Sequence, residues 1–161
     1  MNEQILIIDF GSQFTQLIAR RVRELNVYCE IHPFNHLPEL TSSVKGVILS
    51  GSPCSVRDHT APNPDLTPFL ARMPLLGICY GAQLLAHQQG GEVKPSSSRE
   101  YGRARLSRIA GNNPLLQGIS TSTQVWMSHG DTITQLPPGY EPIASTDTVP
   151  IAAFRVAGQE T

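Results

Sequence analysis

The stretch Gly77-Ile78-Cys79-Tyr80-Gly81 constrains this chain more than any other. The apolar run 74–78 leads into it, and residues 81–89, with helical character and a Gly90-Gly91 stop, lead out. That order predicts a buried strand, a sharp turn and a helix. Reversal within so few residues crowds the positions two before and two after the cysteine. Glycine at 77 and 81 removes the side chains that would collide. G-x-C-x-G has the layout of a nucleophile elbow with cysteine in place of serine. It points the sulfur out of the sheet edge and places it at a helix N-terminus, where partial positive charge favours thiolate. The plain alternative is a small buried loop cysteine. Strand, flanking glycines and helix together favour the nucleophile.

Upstream, strands and helices alternate. Residues 4–9 are an apolar run ending in Asp-Phe-Gly-Ser, the pattern of a buried parallel strand that stops at a loop. Ser12 is placed to cap a helix over 13–25, in which Phe14, Leu17, Ile18, Val22 and Leu25 fall at helical spacing and Arg20, Arg21, Arg23 and Glu24 are left for solvent. Asn26 is a C-terminal stop. Strands are predicted over 27–31 and 46–49, the latter broken by Gly51-Ser52-Pro53, and a short helix over 65–72. This order implies α/β architecture: a mostly parallel, doubly wound sheet with flanking helices. Residues 103–109 alternate, and 124–128, 131–136, 141–145 and 150–156 also suggest short strands, so a short antiparallel section is expected. No internal repeat, low-complexity tract or linker interrupts the chain.

Composition narrows the function classes. At 161 residues the chain is one domain's worth. Twelve Lys and Arg against thirteen Asp and Glu give a formal charge of −1, which argues against non-specific nucleic-acid binding and a polybasic membrane anchor. No apolar run approaches the ~20 residues of a membrane-spanning helix. Met1-Asn2-Glu3-Gln4 has no basic signal-peptide start. Three cysteines without C-x-x-C spacing give neither a disulfide framework nor a zinc site, so a cytoplasmic protein with reduced thiols is expected.

An acyl-transfer cysteine needs an oxyanion hole and a base. The amide of Tyr80 is one natural donor. A second is expected from Ser50-Gly51-Ser52-Pro53, which would lie beside the elbow at the carboxyl edge of the sheet; a plain turn is the alternative. Cys29 reads as packing and Cys54 as a bystander near the site. His87 is a helix-face residue, and His32, His36 and His59 are solvated loop residues near proline. His129, in Trp126-Met127-Ser128-His129-Gly130-Asp131, stands in a dense polar cluster, so His129 and Asp131 are candidates for base and orienter. A polar turn between two strands explains the same residues equally well.

On these residues the chain resembles the class I (triad-type) glutamine amidotransferases. Gly77-Ile78-Cys79-Tyr80-Gly81-Ala82-Gln83 is similar to their nucleophile motif, and Ser50-Gly51-Ser52-Pro53 to their S-G-G-P oxyanion loop. Ile7-Ile8-Asp9-Phe10-Gly11-Ser12-Gln13, with Gln16-Leu17 and Ala19-Arg20-Arg21-Val22-Arg23-Glu24, resembles the N-terminal amidotransferase domains of the GMP synthases. So does the Trp126–Asp131 segment, over anthranilate, carbamoyl-phosphate or CTP synthase relatives. The likeness covers the whole chain. It implies a flavodoxin-like sheet and hydrolysis of glutamine to glutamate and ammonia, the ammonia serving ATP-dependent amination of XMP to GMP. It implies Cys79 as nucleophile and the Ser52 and Tyr80 amides as oxyanion hole. Gly51, Gln83, Ser128, His129 and Asp131 would bind substrate, Asp131 suiting the α-ammonium on charge. His129 is then a substrate-side residue rather than the base.

Two departures stand out. Ser52 occupies a position where the family usually has a second glycine; if that position needs positive φ, serine adds strain of about 1 kcal/mol or more. The family's acid–base pair comes from a later F-H-P-E motif, and no His-Pro-Glu occurs in this sequence, which closes on Ala157-Gly158-Gln159-Glu160-Thr161. The expectation is an amidotransferase domain over 1–161, incomplete at its C-terminus, without the synthetase domains and with negligible turnover by itself. The resemblance implies no cofactor or metal in this domain. It implies ATP and Mg in an ATP-pyrophosphatase synthetase domain of the same protein, and a homodimer formed through regions outside this chain. Two alternatives remain: a non-catalytic glutamine-binding or regulatory paralogue, and a γ-glutamyl peptidase-type cysteine hydrolase.

Overall fold

A computed structural model describes residues 3–70, 72–111 and 113–158. Residues 159–161 of the closing stretch, and Ala71 within the helix expected over 65–72, lie outside the described residues. The chain divides into two compact units, Met1–Leu85 and Ala86–Thr161.

The first unit is built on four parallel strands in the order β2-β1-β3-β4. They are β1 (Gln4–Asp9), β2 (Tyr28–Pro33), β3 (Val44–Leu49) and β4 (Leu75–Gly77). This is the flavodoxin-type order, in which the chain reverses its direction of growth between β1 and β3 and ligands bind at the carboxyl ends flanking that switch. β1 is central, with Leu6, Ile7 and Ile8 all buried, as its unbroken apolar run requires. In register, Ile7 stands between Ile31 of β2 and Ile48 of β3.

Helix α1 (Thr15–Glu24) starts and packs differently from expectation. Its N-cap is Phe14, and Ser12 lies two residues further back, accepting the Phe14 N–H at 3.0 Å. Thr15, Ile18, Ala19 and Val22 face the sheet, whereas Phe14, Leu17 and Leu25 are exposed. The small Ala19 allows close approach: the buried Cys29 thiol lies 3.5 Å from the Ala19 carbonyl, in one cluster with Ile7. Asn26 ends the helix in the left-handed region at φ 59°, as expected. Arg20 and Arg21 both pair with Glu24 on the exposed side and hold its carboxyl below the usual range.

Helix α2 (Thr67–Leu70) is shorter than expected and buries Phe69. Helix α3 (Tyr80–Gln88) follows β4, and the division between the units falls within it.

The second unit is an antiparallel sheet in the order β6-β5-β7-β8. The antiparallel section is present but larger than expected. β5 (Glu92–Ile109) runs for 18 residues, of which the alternation marks only the last seven. It pairs with β6 over 92–105 and with β7 over 106–109. β6 (Gln124–Gln135) is one strand, so the polar turn expected at residues 129–130 is absent; the irregularity lies in β5 instead, between Pro95 and Glu100. β7 (Tyr140–Thr146) and β8 (Ala153–Val156) complete the sheet, β8 starting three residues later than expected. Val93, Leu106, Ile133, Ile143, Ala144 and Val149 form the core of this unit.

Candidate active site

The carboxyl ends of β1, β3 and β4 carry three chain segments of the first unit. Each is shaped by its own sequence. After β1, the Asp9 carboxylate folds the loop onto itself: one oxygen accepts from the Gly11 N–H at 2.9 Å, the Ser12 N–H at 3.2 Å and the Thr15 hydroxyl at 2.8 Å. This Asx turn delivers the chain to α1.

After β4, Cys79 adopts φ +53°, a left-handed conformation that a non-glycine residue occupies only when its surroundings impose it. The two glycines have separate reasons. A Cβ on Gly77 would stand 2.8 Å from the Ala82 backbone, across the turn. A Cβ on Gly81 would stand 2.5 Å from the Leu49 Cβ, so this glycine lets the start of α3 rest on β3. The strand–turn–helix order expected from the sequence is present, and Gln83 N–H bonds back to the Cys79 carbonyl in the first turn of α3.

Cys79 is exposed as a residue, but the strand ends gathered around its sulfur partly desolvate it. Burial of the sulfur among the strand ends pushes the thiol up, and the Tyr80 N–H beside it opposes this only in part. Tyr80 is fully buried; burial, with Cys54 and Asp58 nearby, pushes its phenol up to about 12. Its hydroxyl donates to the Pro62 carbonyl and its ring packs on Phe10, centroids 5.4 Å apart. The residue after the cysteine thus ties the elbow to the loop beyond β3 and to the end of β1.

After β3, Gly51 and Ser52 lie half-buried. Gly51 fits between the other two segments: a Cβ there would stand 3.7 Å from the Cys79 Cβ and 3.6 Å from the Ser12 Oγ. Ser52 has no positive φ, so serine in place of the family's glycine carries no backbone strain in this conformation. Its hydroxyl accepts the Cys54 N–H at 3.2 Å.

Gly51, Ser52, Cys79, Tyr80 and Gln83 all belong to the first unit. Ser128, His129 and Asp131 belong to the second, on β6. The strand's period of two puts His129 and Asp131 on one face, half-buried and buried, and Ser128 on the other, exposed. His87, His36 and His59 are exposed. His32 is a correction: it is a partly buried residue of β2, 3.1 Å from the Glu30 carboxylate, not a solvated loop residue. Cys29 packs in the core and Cys54 is exposed. No cluster of three or more His, Cys, Asp or Glu among the described residues is arranged to hold a metal ion. No helix among them is long and apolar enough to cross a membrane.

Sequence reasoning misses two groups that shape this edge. It places Asp9 at a strand end without its turn, although Asp followed by Gly-Ser is a local turn signal. It sees Ser50 only as part of a loop motif. Ser50 is fully buried and accepts the Phe10 N–H, from a segment 40 residues away, at 3.0 Å. No local pattern announces such a bond.

Comparison with known proteins agrees with this architecture. A crystal structure named for a GMP synthase subunit of Thermoplasma acidophilum superposes with a TM-score of 0.79 at 26% identity, over 99% of this chain and 81% of that one. A glutamine amidotransferase of Thermotoga maritima shares the fold at a TM-score of 0.75 and 20% identity, over 96% and 72% of the two chains. Glutamine-hydrolysing GMP synthases of Cytophaga hutchinsonii and Porphyromonas gingivalis are 61% and 58% identical over all 161 residues. The chain spans 32% of the length of each of these two relatives. The family model of class-I glutamine amidotransferases matches residues 6–158, which takes in both units and the elbow that carries Cys79, and the chain belongs to that family.

Proposed function

We propose that this chain carries the glutamine-binding nucleophilic site of a GMP synthase. The observation that carries the proposal is Cys79 at φ +53° between two glycines that admit no side chain. In this proposal the Cys79 sulfur attacks the side-chain amide carbon of glutamine, and the carbonyl electron pair moves onto oxygen. The Ser52 and Tyr80 N–H groups receive that oxyanion. Collapse returns the electron pair and expels the amide nitrogen as ammonia, which takes up the thiol proton. Water then cleaves the γ-glutamyl thioester to glutamate and restores the thiol. Gly51 leaves room for the reacting carbonyl beside Cys79. Gln83, Ser128, His129 and Asp131 bind the amino-acid end of glutamine, with Asp131 on the ammonium.

None of these residues supplies the proton transfers that the family assigns to its His and Glu. The proposal therefore separates thioester formation at Cys79 from efficient turnover. In the complete protein, ammonia serves the ATP-dependent amination of XMP, performed with Mg by a synthetase domain of the same polypeptide. The protein works in the cytoplasm as a homodimer.

The test is covalent labelling with 6-diazo-5-oxo-L-norleucine, a glutamine-mimicking electrophile, read by peptide mass. One adduct at Cys79, suppressed by L-glutamine and lost in Cys79→Ala, is the expected result. Labelling at Cys54, or protection by a γ-glutamyl peptide but not by glutamine, overturns the proposal.

A further inference from the structure

We infer that Ser50 is a positioning residue that sets the direction of the Ser52 N–H. The inference rests on the proposed role of that N–H as an oxyanion donor.

A serine hydroxyl has one proton and two lone pairs. The Phe10 N–H donates to the Ser50 Oγ at 3.0 Å and occupies one lone pair. The hydroxyl proton goes to the Gly51 carbonyl, also at 3.0 Å, because a carbonyl oxygen can only accept. The Ser50 main chain is held as well: its N–H donates to the Ile8 carbonyl at 3.0 Å, and its carbonyl accepts the Gly81 N–H at 3.1 Å. Ser50 is thus fixed to the end of β1 on one side and to the elbow on the other, and it is wholly buried.

The Gly51 carbonyl and the Ser52 N–H belong to one planar trans peptide, so they point in opposite directions. Holding the carbonyl toward Ser50 holds the N–H away from it. Turning the peptide over would break the Ser50 bond and present a carbonyl oxygen where the N–H now points. A carbonyl there repels a developing oxyanion; an N–H stabilises it. Gly51 makes the turn sterically possible, and the Ser50 hydroxyl selects between the two orientations. Ser50 itself touches no reacting atom.

The experiment compares two reagents on the 161-residue chain. The glutamine chloroketone reacts through attack at a carbonyl and needs the oxyanion site. Iodoacetamide alkylates sulfur by direct displacement and does not. Ser50→Ala is expected to lower the chloroketone rate at Cys79 about tenfold, part of the ~100-fold that loss of a whole oxyanion donor costs. It is expected to leave the iodoacetamide rate within about twofold, and Ser50→Thr, which keeps the hydroxyl, should restore most of the chloroketone rate. Thr146→Ala, which removes a buried hydroxyl in the second unit, controls for general loss of stability. An equal fall of both rates in Ser50→Ala, or the same selective fall in Thr146→Ala, overturns the inference. A second readout is independent of glutamine chemistry. The Ser52 amide should show millisecond exchange by nitrogen-15 relaxation in Ser50→Ala and not in the parent chain; unchanged relaxation overturns the inference. A parent chain that reacts with iodoacetamide but not with the chloroketone counts against the proposed function, and the relaxation measurement still decides the role of Ser50.

Discussion

Gly81 backs onto Leu49 so closely that a Cβ would stand 2.5 Å from the Leu49 Cβ and 2.7 Å from its carbonyl oxygen. The obstacle includes the backbone of Leu49, a fully buried residue of β3, which cannot move aside as a flexible side chain would. Gly81→Ala should therefore push α3 off β3. The cost should reach or exceed the ~1–3 kcal/mol of ordinary overpacking. Urea unfolding measures it. An Ala variant within about 0.5 kcal/mol of the parent would mean that the elbow is far looser than its geometry.

The loop after β1 should depend on Asp9 in a graded way. Three donors converge on one carboxylate oxygen. Hydrogen bonds to a charged group contribute about 1.5–3 kcal/mol each where water is excluded, and less where the loop is wet. Thr15→Val removes one bond from a buried position while keeping the shape, and should cost about 1–2 kcal/mol. Asp9→Ala should cost more, and the two changes together should cost less than their sum, because they share a bond. Full additivity in a double-mutant cycle would show that the Thr15–Asp9 bond contributes nothing.

What the sequence disclosed follows from how local each determinant is. The run at 4–9 announces β1 because a strand buried on both faces must be apolar throughout; the run at 74–78 announces β4 as a strand but not its burial, since Leu76 and Ile78 are exposed. The glycine spacing announces the elbow because Gly77 is crowded locally by the Ala82 backbone, whereas the obstacle at Gly81 is Leu49, which only the fold brings there. α1 is legible as a helix but not in its packing: Phe14, Leu17 and Leu25 are larger than Ala19, yet the sheet is approached through Ala19. The first half of β5 runs through Ser96-Ser97-Ser98-Arg99-Glu100, where no alternation exists, and its register with β6 is set by the pairs on either side, at 92–95 and 100–105. His129-Gly130 looks like a turn by composition, but β6 runs through it as one strand, and the register shift at that point is taken up by β5 between Pro95 and Glu100. The Ser50–Phe10 bond spans 40 residues and only the fold creates it.

Cys79 should react as a slow thiol at neutral pH. Burial raises its pKa, so the folded chain binds the thiol proton more tightly than the unfolded chain. Iodoacetamide alkylation at Cys79 should therefore be half-maximal above the ordinary thiol value of about 8.5. The linkage has a definite sign. The stabilising contribution of this group is complete below the unfolded thiol value and is lost as pH rises through the ordinary range toward the folded value. Cys79→Ala should flatten that alkaline slope. A midpoint near pH 7 would show that Tyr80 N–H and the helix terminus outweigh burial.

Thioester formation and turnover should separate in this polypeptide. The sequence holds no His-Pro-Glu, and loss of a triad's base costs several orders of magnitude in turnover, even where the oxyanion site and substrate binding remain. Steady-state glutamate release from the 161-residue chain should therefore be at the level of the Cys79→Ala control, while covalent labelling of Cys79 by the glutamine analogue proceeds. Two assays on one preparation distinguish the possibilities. Labelling without turnover is the expected result and ascribes the missing steps to proton transfer. Turnover that disappears in Cys79→Ala would mean that a base is present within these residues. His129 with Asp131, which share one face of β6, would then be the first pair to replace. Under that outcome His129→Gln should abolish glutamate release without abolishing the label.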